Sequence, residues 1–190
     1  MENMQSKDLM DIPTLDKWIA DHIQGGFGPA DMGIMKEEIE KLQPGDIYLE
    51  VGVDEGRSLT VARHYAHDEV WTIGVDYIDP PGRAPYMNIK LGHFPNGTGM
   101  ISIGKRCIYI HGDANMVAQL WEKPISLLFI DGDHSYEGVQ KDHNAWVPKV
   151  KEGGTVLYHD YDHPDTKRFL DDTYGDNKEV CHGKIVRVRK

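Results

Sequence analysis

The sequence predicts an α/β fold, a mostly parallel sheet with helices on both faces. Three observations carry that expectation. Short, nearly continuous apolar runs recur: "DIYLEVG", "VWTIGVD", "RCIYIHGD", "ISLLFIDGD" and "GTVLYHD". Between most of them lie stretches with apolar residues at helical spacing. Strands covered on both faces read as such unbroken runs, and parallel pairing needs the helical crossovers. Finally, the first run ends in a glycine-punctuated turn that opens a helix, "YLEVGVDEGRSLTVARHYA" from Tyr48 to Ala66. Doubly wound sheets hold their ligands at such turns, beyond the carboxyl ends of the strands.

Two helices are expected first. "TLDKWIADHIQ" sets Leu15, Trp18, Ile19 and Ile23 on one face, with Thr14 as its N-cap. "GGFGP" breaks the chain, and "ADMGIMKEEIEKLQPGD" then aligns Met32, Met35, Ile39 and Leu42. The strand "DIYLEVG" leads to the helix "RSLTVARHYAH" and the strand "VWTIGVD". The segment from Pro80 to Gly104 is rich in Gly, Pro and Asn and reads as a loop. Loops of that length are uncommon in compact domains and are often functional. A variable surface insertion is the plainer reading. The strand "RCIYIHGD", helix "NMVAQLW", strand "ISLLFIDGD" and helix "YEGVQKDHNAWVPKV" follow. Gly153 and Gly154 read as the turn before the strand "GTVLYHD". The helix "DTKRFLDDTY" and an antiparallel strand "KIVRVRK" close the chain. One domain over residues 1–190 is expected, with an N-terminal helical or lid segment (1–45) and the long loop (80–104).

Charge narrows the ligands. The formal net charge is −10, which argues against phosphate backbones and hence nucleic acid as a partner. The N-terminal stretch is polar, without the apolar core of a signal peptide, and no run reaches membrane-span length. Cys107 and Cys181 fit neither a zinc spacing nor a disulfide framework. A reducing, cytoplasmic setting and a small-molecule substrate are the expectation. A homo-oligomer is compatible with it.

Gly52 and Gly56 bracket the turn, Ser58 can cap the helix, and Asp76 ends the next strand. An acid there can accept hydrogen bonds from two ribose hydroxyls. The plain alternative is a tight structural turn with an unrelated Asp. Glu50, Asp54 and Glu55 would oppose a pyrophosphate, and no Walker or complete G-x-G-x-x-G pattern occurs. A phosphate-free nucleoside removes the conflict. S-adenosylmethionine is one, and its ammonium and sulfonium tolerate nearby carboxylates.

"EVGVDEGRS" resembles motif I of the class I S-adenosylmethionine-dependent methyltransferases, with the spacing of the catechol O-methyltransferase branch. The resemblance implies a Rossmann-like class I methyltransferase fold. It also implies that Glu50 and the Gly52-to-Ser58 turn meet the methionine end of the cofactor. Asp76 would grip the ribose and Tyr77 would lie near the adenine. "HGDA" places Gly112, Asp113 and Ala114 along the adenine edge. "LLFIDGDHSYEGVQKDHNAW" and "VKEGGTVLYHDYD" are similar to a small-molecule O-methyltransferase group with an IDGDHSYE hallmark.

"FIDGDH" and "YHDYDH" end neighbouring strands and should bring Asp131, Asp133 and Asp160 together. Clustered carboxylates repel unless a cation or proton intervenes. Mg²⁺ or another divalent ion would suit them and could activate a substrate hydroxyl. The resemblance implies Asp131 and Asp160 as ligands. The branch has Asn after the second Asp, where this chain has Tyr161, so Asp133, His159 or Asp162 would have to serve instead. The plain alternative has Asp131 on the cofactor's ammonium and the other acids in solvent. His134 and His159 are the candidate bases, with Asp131 as a third in a metal-free site. Val139, Trp146 and Val150 share a helical face and read as core. Phe27 and Met32 are candidates to cover the donor.

The expected function is methyl transfer from S-adenosylmethionine to a small-molecule hydroxyl. Transfer to nitrogen is one rival, although the "NPPY" type of signature is absent. A non-catalytic module that binds cofactor or partner is the other. A dinucleotide oxidoreductase is disfavoured by Asp54 and Glu55.

Overall fold

The computed structural model describes residues 17, 21, 23, 25–77, 99–102, 106–182 and 184–190. In chain order the elements are α1 (Pro29–Ile39), β1 (Ile47–Val51), α2 (Arg57–Tyr65), β2 (Trp71–Asp76), β3 (Gly99–Ser102), β4 (Cys107–His111), α3 (Ala114–Leu120) and β5 (Ile125–Ile130). Then come α4 (Tyr136–Trp146), a short 3₁₀ turn, β6 (Val150–Tyr158), α5 (Pro164–Tyr174), β7 (Glu179–Val180) and β8 (Val186–Arg189).

The described strands form one sheet in the order β3-β4-β2-β1-β5-β6-β8-β7. The five from β4 to β6 are parallel. β3, β8 and β7 pair antiparallel at the two edges. The chain leaves β1 toward β2 and β4, then returns to β5 on the other side of β1. That reversal makes β1–β5 the switch point, where a crevice opens.

Alternation along the central strands sorts the core. Tyr48, Leu127, Phe129 and Leu157 face the side covered by α1 and α2, with Met32, Met35 and Ile39. Leu49, Val51, Leu128 and Ile130 face the other side, with Val139, Trp146, Phe169 and Leu170. A strand buried on both faces, as β5 is throughout, has no polar alternation to show.

Three expectations change. The expected loop contains the edge strand β3, whose four residues are too few to carry a period; the rest of Pro80–Gly104 lies outside the described residues. β7, two exposed residues, was not foreseen. Gly153 is no turn before a strand: it sits inside β6 at a left-handed φ of 75°, beside a register shift between Ile125 and Leu127. It is a bulge. Thr14, Leu15, Trp18 and Ile19 lie outside the described residues, while Ile23 joins the core. Among the described residues, no helix is long and apolar enough to cross a membrane.

Candidate active site

A cleft of about 690 Å³ lies beyond the carboxyl ends of the parallel strands. That is the size of a cofactor or small-molecule site. Its walls come from the segments that follow β1, β2, β4, β5 and β6, and from Gly25 to Phe27.

The turn after β1 is fixed from two sides. Gly52 has φ 84°, and a Cβ there would stand 2.2 Å from the carbonyl oxygen of Asp131. Only glycine lets the two loops cross so closely. From the other side, Asp76 Oδ2 accepts hydrogen bonds from Val53 N (2.8 Å) and Asp54 N (2.7 Å). Gly56, at φ 79°, caps α2 without lining the cleft. Ser58 does line it, as do Asp54 and Glu55.

Glu50 requires a correction. Strand alternation turns it to the α1/α2 side, where it is fully buried and does not line the cleft. Tyr48 and Ser58 donate their hydroxyls to it at 2.6 and 2.5 Å. Burial drives its carboxyl up to about 8, against the pull of those two hydrogen bonds. It anchors Ser58 from behind the cleft wall.

At the β4 end, Tyr77 is 64% exposed and stacks near His111. Asp113 caps α3, its Oδ1 accepting from Asn115 N (2.8 Å) and Met116 N (3.0 Å). Tyr77, Asp113, Ala114 and Asn115 all line the cleft. Gly112 does not: its N–H continues the ladder to the Asp76 carbonyl at 2.8 Å.

At the β5–β6 end, register pairs Ile130 with Tyr158, so Asp131 emerges beside His159 and Asp160. His159 is 4% exposed, with Nδ1 3.1 Å from Asp131 Oδ1 and 3.4 Å from Asp160 Oδ2. Its Nε2 lies 3.5 Å from Asp31, on the first turn of α1. Phe27 and Phe129 enclose the ring. Burial works against the charged imidazole, but hydrogen bonds to three carboxylates prevail and push it up to about 11. His159 is therefore a fixed cation, not the base expected for it. Hydrogen bonding to that cation holds Asp160 well below the usual carboxylate range.

His134 is more open, with Nε2 3.0 Å from Asp160 Oδ2 and 3.5 Å from Asp131 Oδ1. The bond to Asp131 raises its pKa, and the charge of Asp160 adds to that. Lys184 reaches Asp160 Oδ1 at 3.2 Å from the loop before β8.

Asp133 leaves the expected carboxylate trio. Its Oδ1 accepts from Ser135 N at 2.9 Å, which turns the carboxylate back onto its own loop. His134 joins Asp131 and Asp160 instead, with donor atoms all within 4.8 Å of one another. Oxygen and imidazole donors this close can share a divalent ion. Asp31, missed in the sequence, had only one signal: an acid in the first turn after Pro29, where it accepts from Gly28 N at 2.9 Å. Met32 is fully buried in the core and does not line the cleft, whereas Phe27 does.

A family model described as a methyltransferase domain matches residues 49–161, more than half of the chain. An uncharacterized protein, R132 of Acanthamoeba polyphaga mimivirus, is 26% identical over 146 residues. That alignment covers 76% of this chain and 65% of the viral protein, so the chain spans less than two thirds of this relative. Three solved structures share the fold. The O-methyltransferase NovP superposes with a TM-score of 0.64 at 17% identity, over 86% of this chain and 80% of its own. An O-methyltransferase from Bacillus cereus in complex with SAH gives 0.60 at 13% identity, over 98% and 93%. The MycE methyltransferase in complex with Mg, SAH and mycinamycin VI gives 0.64 at 16% identity, over 98% and 55%. The matched segment runs from β1 past Asp160 and takes in both ends of the cleft. The chain belongs to the methyltransferase-domain family.

Proposed function

We infer that this chain transfers a methyl group from S-adenosylmethionine to a hydroxyl oxygen of a small molecule. One observation carries the reading. A single cleft has a strand-end acid suited to a ribose, Asp76, on one stretch and the Asp131–His159–Asp160–His134 cluster on the next.

The residues fit the donor. Asp76 keeps Oδ1 for a diol while Oδ2 holds the turn. The acid-rich lining suits a cationic ligand and opposes a phosphate. The donor supplies an electrophilic methyl on a sulfonium: its S–C bond breaks as the C–O bond forms, and the hydroxyl proton must leave. His134 is the base for that proton. It borders the cleft, and its Nε2 lies 3.0 Å from Asp160 Oδ2, a carboxylate that offsets the charge the ring gains on taking the proton. Asp160 and Asp131 orient the ring and stabilise its charged form. His159 balances the two carboxylates and holds the strand ends at one spacing. Phe27 excludes water from that side.

A second reading follows from the donor set of Asp131, His134 and Asp160. These three would hold a divalent ion, which when bound would lower the pKa of the acceptor hydroxyl. His134 would then be a ligand and not the base.

The test is product formation. The protein is incubated with S-adenosylmethionine and a panel of hydroxylated and amino-bearing small molecules, with and without EDTA, and products are read by mass spectrometry. Methylated hydroxyl products support the reading. Only N-methylated products, or none across the panel, count against it. Loss of activity in EDTA and its return with Mg²⁺ favours the second reading; unchanged activity favours His134 as base.

A further inference from the structure

Lys184 is a cation without a role in the chemistry above. It lies in the loop before β8, with Nζ 3.2 Å from Asp160 Oδ1 and 3.7 Å from Asp162 Oδ2. Asp160 Oδ2 is engaged from the other side, by His134 Nε2 at 3.0 Å and His159 Nδ1 at 3.4 Å. Both oxygens of Asp160 are therefore committed, one of them to Lys184. The backbone sets this pairing as well. The Lys184 carbonyl accepts from Tyr161 N at 3.0 Å, which ties its loop to the segment after β6. Asp160 itself holds a left-handed φ of 53°, and its carbonyl accepts from His163 N at 2.8 Å. A non-glycine residue keeps such a φ only where its surroundings over-determine it.

The pairing bears on the donor set of Asp131, His134 and Asp160. A hard divalent ion is held by the negative charge of its ligands as well as by their lone pairs. Here Lys184 sets a positive charge against one ligand, and the His159 cation sets another against two. An ion at Asp160 must therefore bear the repulsion of the ammonium or free Oδ1 from it. His159 is buried among the carboxylates. Lys184 is 39% exposed and does not line the cleft, so its charge can be removed without rebuilding the cleft wall.

Resting on the metal reading of that donor set, we propose that Lys184 is a built-in counter-ion to Asp160 that competes with a divalent cation and so sets the metal affinity of the site. The chain itself then supplies the positive charge that the carboxylate cluster requires. A divalent ion gains only the difference between its own attraction to Asp160 and that of the ammonium.

The test is binding of Mn²⁺ alone, followed by electron paramagnetic resonance of the free ion. The proteins are wild type, Lys184→Met, Lys184→Arg, and Lys184→Met combined with Asp160→Asn. Met removes the charge at similar length, and Arg retains it. Lys184→Met should bind Mn²⁺ more tightly than wild type by about tenfold or more, the effect of removing one charge close to a divalent ion. Lys184→Arg should bind as wild type does. The double variant should lose the gained affinity, which locates the ion at Asp160 rather than elsewhere on an acidic surface. Equal affinity of wild type and Lys184→Met, lost in the double variant, overturns the proposal and leaves the donor set standing. A gain that survives Asp160→Asn also overturns it. Binding by none of the proteins removes the metal reading and the proposal with it, a result distinct from both.

Discussion

His159 Nδ1 lies 3.1 Å from Asp131 Oδ1, tying the end of β6 to the end of β5 through one buried ion pair. The same ring reaches Asp160 and Asp31. Three carboxylates therefore meet at one imidazolium. Removing one partner of a buried charge cluster leaves the others uncompensated, at about 3–5 kcal/mol. His159→Gln should lower unfolding stability by roughly that amount, measured by urea denaturation near pH 7. A variant as stable as wild type would mean that the cluster carries no such charge.

His134 makes the opposite prediction. Its side chain is 42% exposed, so its removal should leave stability within about 1 kcal/mol. Loss of a general base lowers rate by about 10²–10⁴-fold. His134→Ala should show that loss in kcat with little change in the affinity for S-adenosylhomocysteine.

Gly52→Ala tests the crossing at the switch point. The new Cβ would meet backbone atoms of Asp131, which cannot rotate away, and φ is 84°. The strain should destabilise the fold by at least about 1–3 kcal/mol. Gly153→Ala, also at positive φ but with open space around it, should be the milder change. Chemical denaturation of the two variants gives the comparison.

Glu50 gives a pH signature. Its folded pKa is about 8, raised mainly by burial. The unfolded side chain titrates near 4.3. Between those values the folded state retains a proton that the unfolded state releases, so this group weakens stability as pH rises through the window. The loss is complete above the folded pKa. Glu50→Gln removes the titration. Its stability relative to wild type should therefore climb from pH 5 to pH 8. A flat difference across that window would contradict a buried neutral acid.

Much of the architecture was legible because its signals are local. Five unbroken apolar runs, a glycine pair and acids at strand ends together specify a parallel sheet and the place of its crevice. What was hidden is the direction of side chains and the contacts made over long separations. Glu50 sits in the motif, but strand alternation sends it away from the cleft. Asp133 and His134 are neighbours in "IDGDHS", and only the local turn at Ser135 decides which one joins Asp160. Asp31 meets His159 across most of the chain, a relation no spacing encodes. β3 and β7 are too short to carry a period.

The proposed binding of S-adenosylmethionine in this cleft rests most on Asp76. Calorimetric titration of wild type and Asp76→Asn with S-adenosylmethionine tests it most directly. Wild type should bind it saturably and one to one. The variant, whose amide oxygen can still hold the turn, should bind it more weakly by about tenfold or more. No saturable binding by wild type, or equal affinity in the two proteins, would contradict it.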